Sequence, residues 1–203
     1  YTHLPYLRPV WRKNTEEERL LGVSLTGIMD NEITSKPTKE LLNSLRSVAI
    51  QTNSETSERL GINPSAAITC VKPSGTVSQL VDSASGIHAR HSDYYIRTVR
   101  GDNKDPLTKF LTDSGIPAEA CVMKPDSTTV FSFPVKAPDG AVTRNDMSAI
   151  EQLELWKTYA LNWCEHKPSV TITVRDEEWL KVGSWVYDNF DICSGVSFLP
   201  HSD

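Results

Sequence analysis

Five consecutive residues, Lys72-Pro73-Ser74-Gly75-Thr76, combine the side chains and the backbone freedom that an anion site uses. Pro73 fixes its own φ and lacks an N–H, while Gly75 lets the backbone turn without a Cβ. Ser74, Thr76 and Ser78 put three hydroxyls within five residues. Ahead of them Ala66-Ala67-Ile68-Thr69-Cys70-Val71 is an apolar run of buried-strand length, and behind them Val77, Leu80 and Val81 read as the start of a helix. A strand, a tight turn and a helix N-terminus turn unpaired N–H groups toward one point, the arrangement of a phosphate cradle. The second Gly and the Lys-Ser/Thr pair of a Walker loop are absent, and Pro-Ser-Gly-Thr also suits any strand-to-helix turn.

Other chemistry-bearing residues are dispersed. Cys70, Cys121, Cys164 and Cys193 form neither a CxxC pair nor a Cys/His cluster, so no zinc, other metal or thioredoxin-type motif is written here. Their apolar neighbours predict buried thiols in a reducing cytoplasm, and Cys70, although nearest the cradle, reads as a core thiol rather than a nucleophile. His88 and His91 can approach a phosphate or hydrogen-bond locally; Lys72 can add charge at the cradle's rim or remain solvated. Asp93, Asp102 and Glu165 lack any sequence partner that would mark them as acid or base.

Composition narrows the class. The 203 residues carry a net charge of −5, and their Lys and Arg are scattered among acids, which argues against gripping a nucleic-acid backbone. A small phosphorylated ligand needs only local dipoles and tolerates an acidic average. No apolar run of about 18 residues exists to span a membrane, and no signal peptide opens the sequence. The first residue is Tyr1 and no evident terminal element closes the sequence, so residues 1–203 are expected to form a single, incomplete domain of a longer chain.

The elements that must position the cradle alternate between helix and strand, which predicts an α/β fold. Residues 1–14 read as an extended connector. Thr15-Glu16-Glu17-Glu18 reads as a capping box opening a helix to about Asp30, in which Gly22 and Gly27 imply a closely approaching backbone. Ser35 is expected to cap a second helix that Gly61 closes. Strands are expected at Tyr94–Val99, Thr128–Phe133 and Ser169–Val174, and a strand or strand-like loop at the end. Helices are expected near Asp105–Ser114, Asp146–His166 and Arg175–Asn189. On a strand Tyr94 and Tyr95 would face opposite ways, which favours packing over a tyrosine relay.

With these residues in view, a family resemblance becomes specific. Cys70-Val71-Lys72-Pro73-Ser74-Gly75-Thr76, continuing to Ser85-Gly86-Ile87-His88 and Tyr94-Tyr95-Ile96-Arg97, resembles the adenosylcobalamin-dependent (class II) ribonucleotide reductases. Arg19–Gly27, Pro168–Ile172 and Gly195–Pro200 fit the same family in the same order, and the monomeric, triphosphate-reducing branch is the most similar. The resemblance implies part of a ten-stranded α/β barrel, toward its C-terminal side, and reduction of a ribonucleoside tri- or diphosphate at C2′ through a protein thiyl radical. It implies adenosylcobalamin as cofactor, thioredoxin or a similar dithiol as reductant, and allosteric deoxynucleotides as effectors of the full-length enzyme. Carried over by position, Pro73, Ser74, Gly75 and Thr76 match the loop that binds the substrate phosphates. None of the four cysteines matches the family's radical or redox cysteines, which are expected outside this sequence, leaving this stretch inert alone. Two alternatives remain: a class I large subunit with a metal-bearing partner, and a nucleotide-binding module without catalysis.

Overall fold

A computed structural model describes residues 4–202. In chain order the elements are α1 (Pro9–Glu18), β1 (Val23–Ser24), α2 (Glu32–Ser35), α3 (Lys39–Leu60), β2 (Thr69–Cys70) and α4 (Val77–Leu80). There follow β3 (Tyr94–Asp102), α5 (Pro106–Asp113), β4 (Ala118–Ala120) and β5 (Thr128–Lys136). The chain ends with α6 (Ala149–Asn162), β6 (Val170–Val174), α7 (Trp179–Asp188) and β7 (Val196–Pro200). The strands form two parallel pairs, β1-β2 and β6-β7, and a three-stranded antiparallel sheet in the order β3-β5-β4. The fold is mixed α/β, and among the described residues no helix is long and apolar enough to cross a membrane.

The residues divide into two compact units, one of 1–90 with 140–203 and one of 91–139. The first contains the main core. Leu153, Trp156 and Tyr159 of α6 are fully buried, as are Ile172 and Val174 of β6, and Val71. The three- and four-residue spacing on α6 lines one face with these side chains, and β6 alternates buried and half-buried positions as a strand with one core face should. Ser148 and Glu151 cap α6 reciprocally, so its start at Ala149 lies three residues beyond the expected Asp146.

The N-terminal stretch departs from expectation. Residues 9–18 are already helical, with Pro9 in the first turn, where its missing N–H costs nothing. Thr15 is not a cap; its hydroxyl donates to the Trp11 carbonyl one turn back. The helix expected to open at Thr15 and run to about Asp30 instead ends at Glu18, with Arg19 left-handed at φ 45°. The chain then runs extended, with the amides of Leu21, Val23 and Leu25 donating to the carbonyls of Ala67, Ile68 and Cys70. Pairing with the Ala67–Cys70 run thus overrides the helical spacing of the apolar residues. Gly27 does meet close packing, with φ +69° and a Cβ position 3.1 Å from the Ser83 Cβ. Thr38, rather than Ser35, caps α3, accepting from the Leu41 amide, and Gly61 closes it with φ +64°.

The second unit is the β3-β5-β4 sheet with α5. Pro134 lies in β5, the central strand, yet β4 pairs only with Thr129–Phe131, so no ladder bond is lost on that side. Tyr94 is exposed and Tyr95 half-buried, in the alternation expected of a strand.

Candidate functional site

The cradle lies in the first unit, at the C-terminal end of β2. Parallel strands collect functional loops at these ends. The helix behind it is a single turn, α4, and its N-cap residue Thr76 makes no side-chain capping bond. The expected helix dipole is therefore small, and the donors at the turn are the local amides themselves. Those of Gly75, Thr76 and Val77 have no acceptor among the described residues, whereas the neighbouring Ser74 amide donates to Ser85 Oγ at 3.0 Å and the Lys72 amide to Ser24 Oγ at 3.2 Å. Gly75, Thr76 and Val77 are all exposed. Three successive unpaired amides on exposed residues can serve as donors to an anion.

The hydroxyls sort into different roles. Thr76 is exposed, and its Oγ1 makes no bond among the described residues. Ser78, grouped with the cradle by sequence, is fully buried and donates to the Ser74 carbonyl at 2.8 Å, so it fixes the turn and cannot reach a ligand. Ser74 Oγ lies 3.0 Å from Thr26 Oγ1. Gly75 also takes a different role from the expected one. Its φ is not left-handed, and a Cβ placed there meets nothing within 4 Å. The turn does not require glycine at 75; a bare Cα there leaves room for a ligand to approach the amides.

A second loop holds the first. Gly86 has φ +56°, and its Cβ position lies 2.8 Å from the Lys72 carbonyl oxygen, so here a glycine is obligatory. Thr26 Oγ1 donates to the Ala84 carbonyl at 2.9 Å and accepts from the Gly86 amide at 3.0 Å. Asp30 accepts the Ala84 amide at 2.7 Å and also receives Arg90 through Nε at 2.9 Å and Nη2 at 3.1 Å. Arg90, 5% exposed, further donates to the Asp82 carbonyl. Thr26, Asp30, Ser85 and Arg90 thus belong to the candidate site; the sequence offers Thr26 and Ser85 only as part of resembling segments, and marks none of the four as a site residue. Thr26 and Asp30 lie more than 40 residues before the loop, and nothing local marks a residue that acts across such a separation.

The remaining candidates are spent elsewhere. Lys72 Nζ donates to the Lys167 carbonyl at 2.6 Å and to Ser169 Oγ at 3.0 Å, tying the strand end to the start of β6 instead of charging the rim. His88 bridges two elements: its Nε2 accepts the Thr171 amide at 3.0 Å, which requires that Nδ1 carry the proton facing the Ser85 carbonyl at 2.9 Å. His91 belongs to the other unit, where it meets Ser92 and the Tyr95 ring. Glu165 accepts the Ile68 amide at 2.9 Å at the entry to β2. Asp102 accepts the Lys104 amide in a turn.

All four cysteines are free thiols. Cys70, Cys121 and Cys164 are buried and Cys193 partly so. Burial, reinforced by the neighbouring Cys70, pushes the Cys164 thiol up to about 12, which holds it protonated. Cys121, in the second unit, is lowered by the amides of Met123 and Lys124, with Arg100 adding to the effect. Among the described residues no group of His, Cys, Asp and Glu can hold a metal ion.

Sequence and structure comparisons place relatives beside this chain. The chain is 33% identical over 214 residues to the adenosylcobalamin-dependent ribonucleoside-triphosphate reductase of Euglena gracilis, covering 98% of this chain and 29% of that protein. It is 28% identical over 232 residues to the enzyme of the same description from Lactobacillus leichmannii, covering 98% and 31%. The chain is homologous to the adenosylcobalamin-dependent ribonucleoside-triphosphate reductases. The crystal structure of a B12-dependent (class II) ribonucleotide reductase superposes with a TM-score of 0.81 at 26% identity, over 96% of this chain and 31% of that one. No family model matches the sequence. The chain spans about 30% of the length of these reductases.

Proposed function

We propose that this chain is the substrate-phosphate-binding portion of an adenosylcobalamin-dependent ribonucleotide reductase and forms part of its ten-stranded α/β barrel. The observation that carries the reading is the trio of amides at the exposed residues Gly75, Thr76 and Val77, without an acceptor among the described residues, after a parallel strand in a chain homologous to such reductases. Pro73, Ser74, Gly75 and Thr76 form the phosphate loop. The amides and the Thr76 hydroxyl donate to the phosphate oxygens of a ribonucleoside tri- or diphosphate. Anchoring the phosphates fixes the position of the ribose, so the protein's contribution is orientation of the reacting carbon.

The described residues fit phosphate better than a corrin. Two clefts of the first unit, about 380 Å³ beside Arg19 and Asn53 and about 500 Å³ beside Lys36 and Glu151, have the size of small-ligand sites, and no corrin contact is assigned to either. Adenosylcobalamin, when bound to the whole enzyme, supplies the radical chemistry. Cys70 and Cys164 are core thiols here, so the radical and redox cysteines belong to other parts of the enzyme, as do the contacts to thioredoxin or a similar dithiol and to allosteric deoxynucleotides. The experiment is reduction of a ribonucleoside triphosphate by the full-length polypeptide carrying this sequence, given adenosylcobalamin and a dithiol. Turnover without a second protein is expected; a strict requirement for a metal-bearing partner subunit would transfer the chain to class I.

A further inference from the structure

Thr15 and Arg19, at the C-terminal end of α1, line a cleft of about 380 Å³ in the first unit. Leu4, Leu20, Leu21, Leu60 and Ile62 make its wall largely apolar, and no Asp or Glu lines it. The one charged group there is the Arg19 guanidinium. Its Nε and Nη1 are buried and make no hydrogen bond among the described residues. The nearby acids of α1 are engaged elsewhere: Glu16 takes Arg12 at 2.8 Å and Glu17 takes Lys13 at 3.7 Å. A guanidinium does not give up its charge, so the cleft keeps a cation without a counter-ion among the described residues.

The helix beside this cleft also lacks cover. None of the ten residues of α1 is buried, and a helix of that length is marginal alone in water. It is fastened at its C-terminal end, where the Ala66 amide donates to the Glu18 carbonyl at 2.8 Å and Asn63 Nδ2 to the Glu16 carbonyl at 3.3 Å. Trp11 is exposed, and its place one turn before Thr15 and two before Arg19 puts it on the face of α1 that borders the cleft. Leu20, Leu21 and Leu60 are exposed as well. An apolar face with one unpaired cation suits a covering surface that is itself apolar and carries one anion.

The homologous reductases indicate where such a cover comes from. This chain accounts for 29% of the Euglena gracilis enzyme and superposes on 31% of the solved reductase chain. Most of such a polypeptide lies outside the matched part. Being tethered to it, a segment there meets the cleft at a higher effective concentration than a separate partner does. We infer that the Arg19 cleft and the Trp11 face of α1 seat an apolar segment of the full-length polypeptide from outside residues 1–203, with an aspartate or glutamate of that segment paired to Arg19. Nη2, the guanidinium nitrogen that is not buried, is the one the carboxylate reaches. Shielding of Nε and Nη1 from water weakens screening there, so the pair attracts more strongly than two solvated side chains. The inference goes beyond the phosphate-loop reading and is independent of it.

The test uses the full-length polypeptide carrying this sequence, as an equal mixture of chains grown in light and heavy nitrogen, with Leu60 replaced by p-benzoylphenylalanine. Irradiation should join position 60 to an apolar peptide that contains Asp or Glu, lies outside residues 1–203 and carries the same isotope label. A cross-link between light and heavy chains would make the cleft an interface between copies, and absence of any peptide product would leave it to solvent or a small ligand. Either result overturns the inference. Hydrogen exchange tests the charge. Arg19→Glu should speed exchange of the α1 amides and of the captured peptide by about tenfold, the worth of one hydrogen bond to a charged group. Changing the captured carboxylate to arginine in the same chain should restore the wild-type rate, which a purely steric role of Arg19 would not allow. Unchanged exchange in Arg19→Glu, or no recovery in the reversed pair, would overturn the pairing. If Arg19→Glu does not fold, Arg19→Gln in a double-mutant cycle with the captured carboxylate changed to its amide replaces it, and additive effects overturn the pairing.

Discussion

The loop at residues 73–77 and the loop at residues 83–90 lie side by side in one unit, yet they handle their polar groups in opposite ways. In the first, three consecutive amides and the Thr76 hydroxyl are exposed and unpaired. In the second, the Ala84 amide is taken by Asp30 and the Gly86 amide by Thr26, and Arg90 is buried against Asp30. The glycines follow the same division: Gly75 stands in open space with an ordinary φ, and Gly86 is left-handed against the Lys72 carbonyl. The contrast teaches that the proposed phosphate loop divides into a presenting part and a buttress. Polar groups left unpaired at the first loop are held by a neighbour whose Ala84 and Gly86 amides are both taken, although the buried Ser83 hydroxyl there finds no partner among the described residues.

The contrast can be broken most severely at the buttress. Asp30→Ala removes the bidentate partner of a buried guanidinium and should cost about 3–5 kcal/mol of stability in urea unfolding; a loss below about 1 kcal/mol would mean that the Asp82 contacts suffice. Gly86→Ala comes next. Its left-handed φ alone costs about 1–2 kcal/mol, and the Cβ position 2.8 Å from the Lys72 carbonyl oxygen adds to that, so unfolding should show a larger loss.

A pH series probes the core behind the loop. Cys164 is raised from an ordinary thiol value of 9.0 to about 12, so the folded state keeps a proton that the unfolded state releases. Its contribution is fully present below pH 9 and is lost as pH rises toward 12, at about 1.4 kcal/mol per pH unit. Tyr159, raised by burial from 10.0, extends the same trend from pH 10 upward. Cys164→Ala should reduce the slope between pH 9 and 10 in melts of the protein, leaving the part that burial of Cys193 contributes with the same sign; an unchanged slope would place its source elsewhere. The smallest expected change in stability sharpens the contrast from the presenting side. Gly75→Val should alter unfolding by less than about 0.5 kcal/mol, because its side chain enters open space, while lowering triphosphate affinity at least about tenfold.

Much of the presenting part was legible in the sequence and little of the buttress. Pro73, Ser74, Gly75 and Thr76 sit together, so a short window contains the strand, the turn and the donors. Ser78 misled because a window cannot tell a hydroxyl facing a ligand from one folded back on the Ser74 carbonyl. Gly75 was assigned the conformational role that Gly86 performs, since composition says nothing of φ. Thr26 and Asp30 act on the loop from more than 40 residues away, brought close by the β1-β2 pairing and by their bonds to Ala84, Gly86 and Arg90. That pairing was hidden because Leu20, Leu21, Val23 and Leu25 are spaced as a helix would have them. The longer elements α3, α6, β3 and β6 emerged at nearly their expected places, since burial there follows the local period.

The central claim is that the unpaired amides at Gly75, Thr76 and Val77 receive phosphate oxygens. Amide proton shifts recorded while the protein is titrated with a ribonucleoside triphosphate test it directly. Those three resonances should move downfield together and saturably, while the Ser74 amide, already donating to Ser85, moves less. Saturable binding that leaves the three resonances in place would put the phosphates elsewhere on the protein.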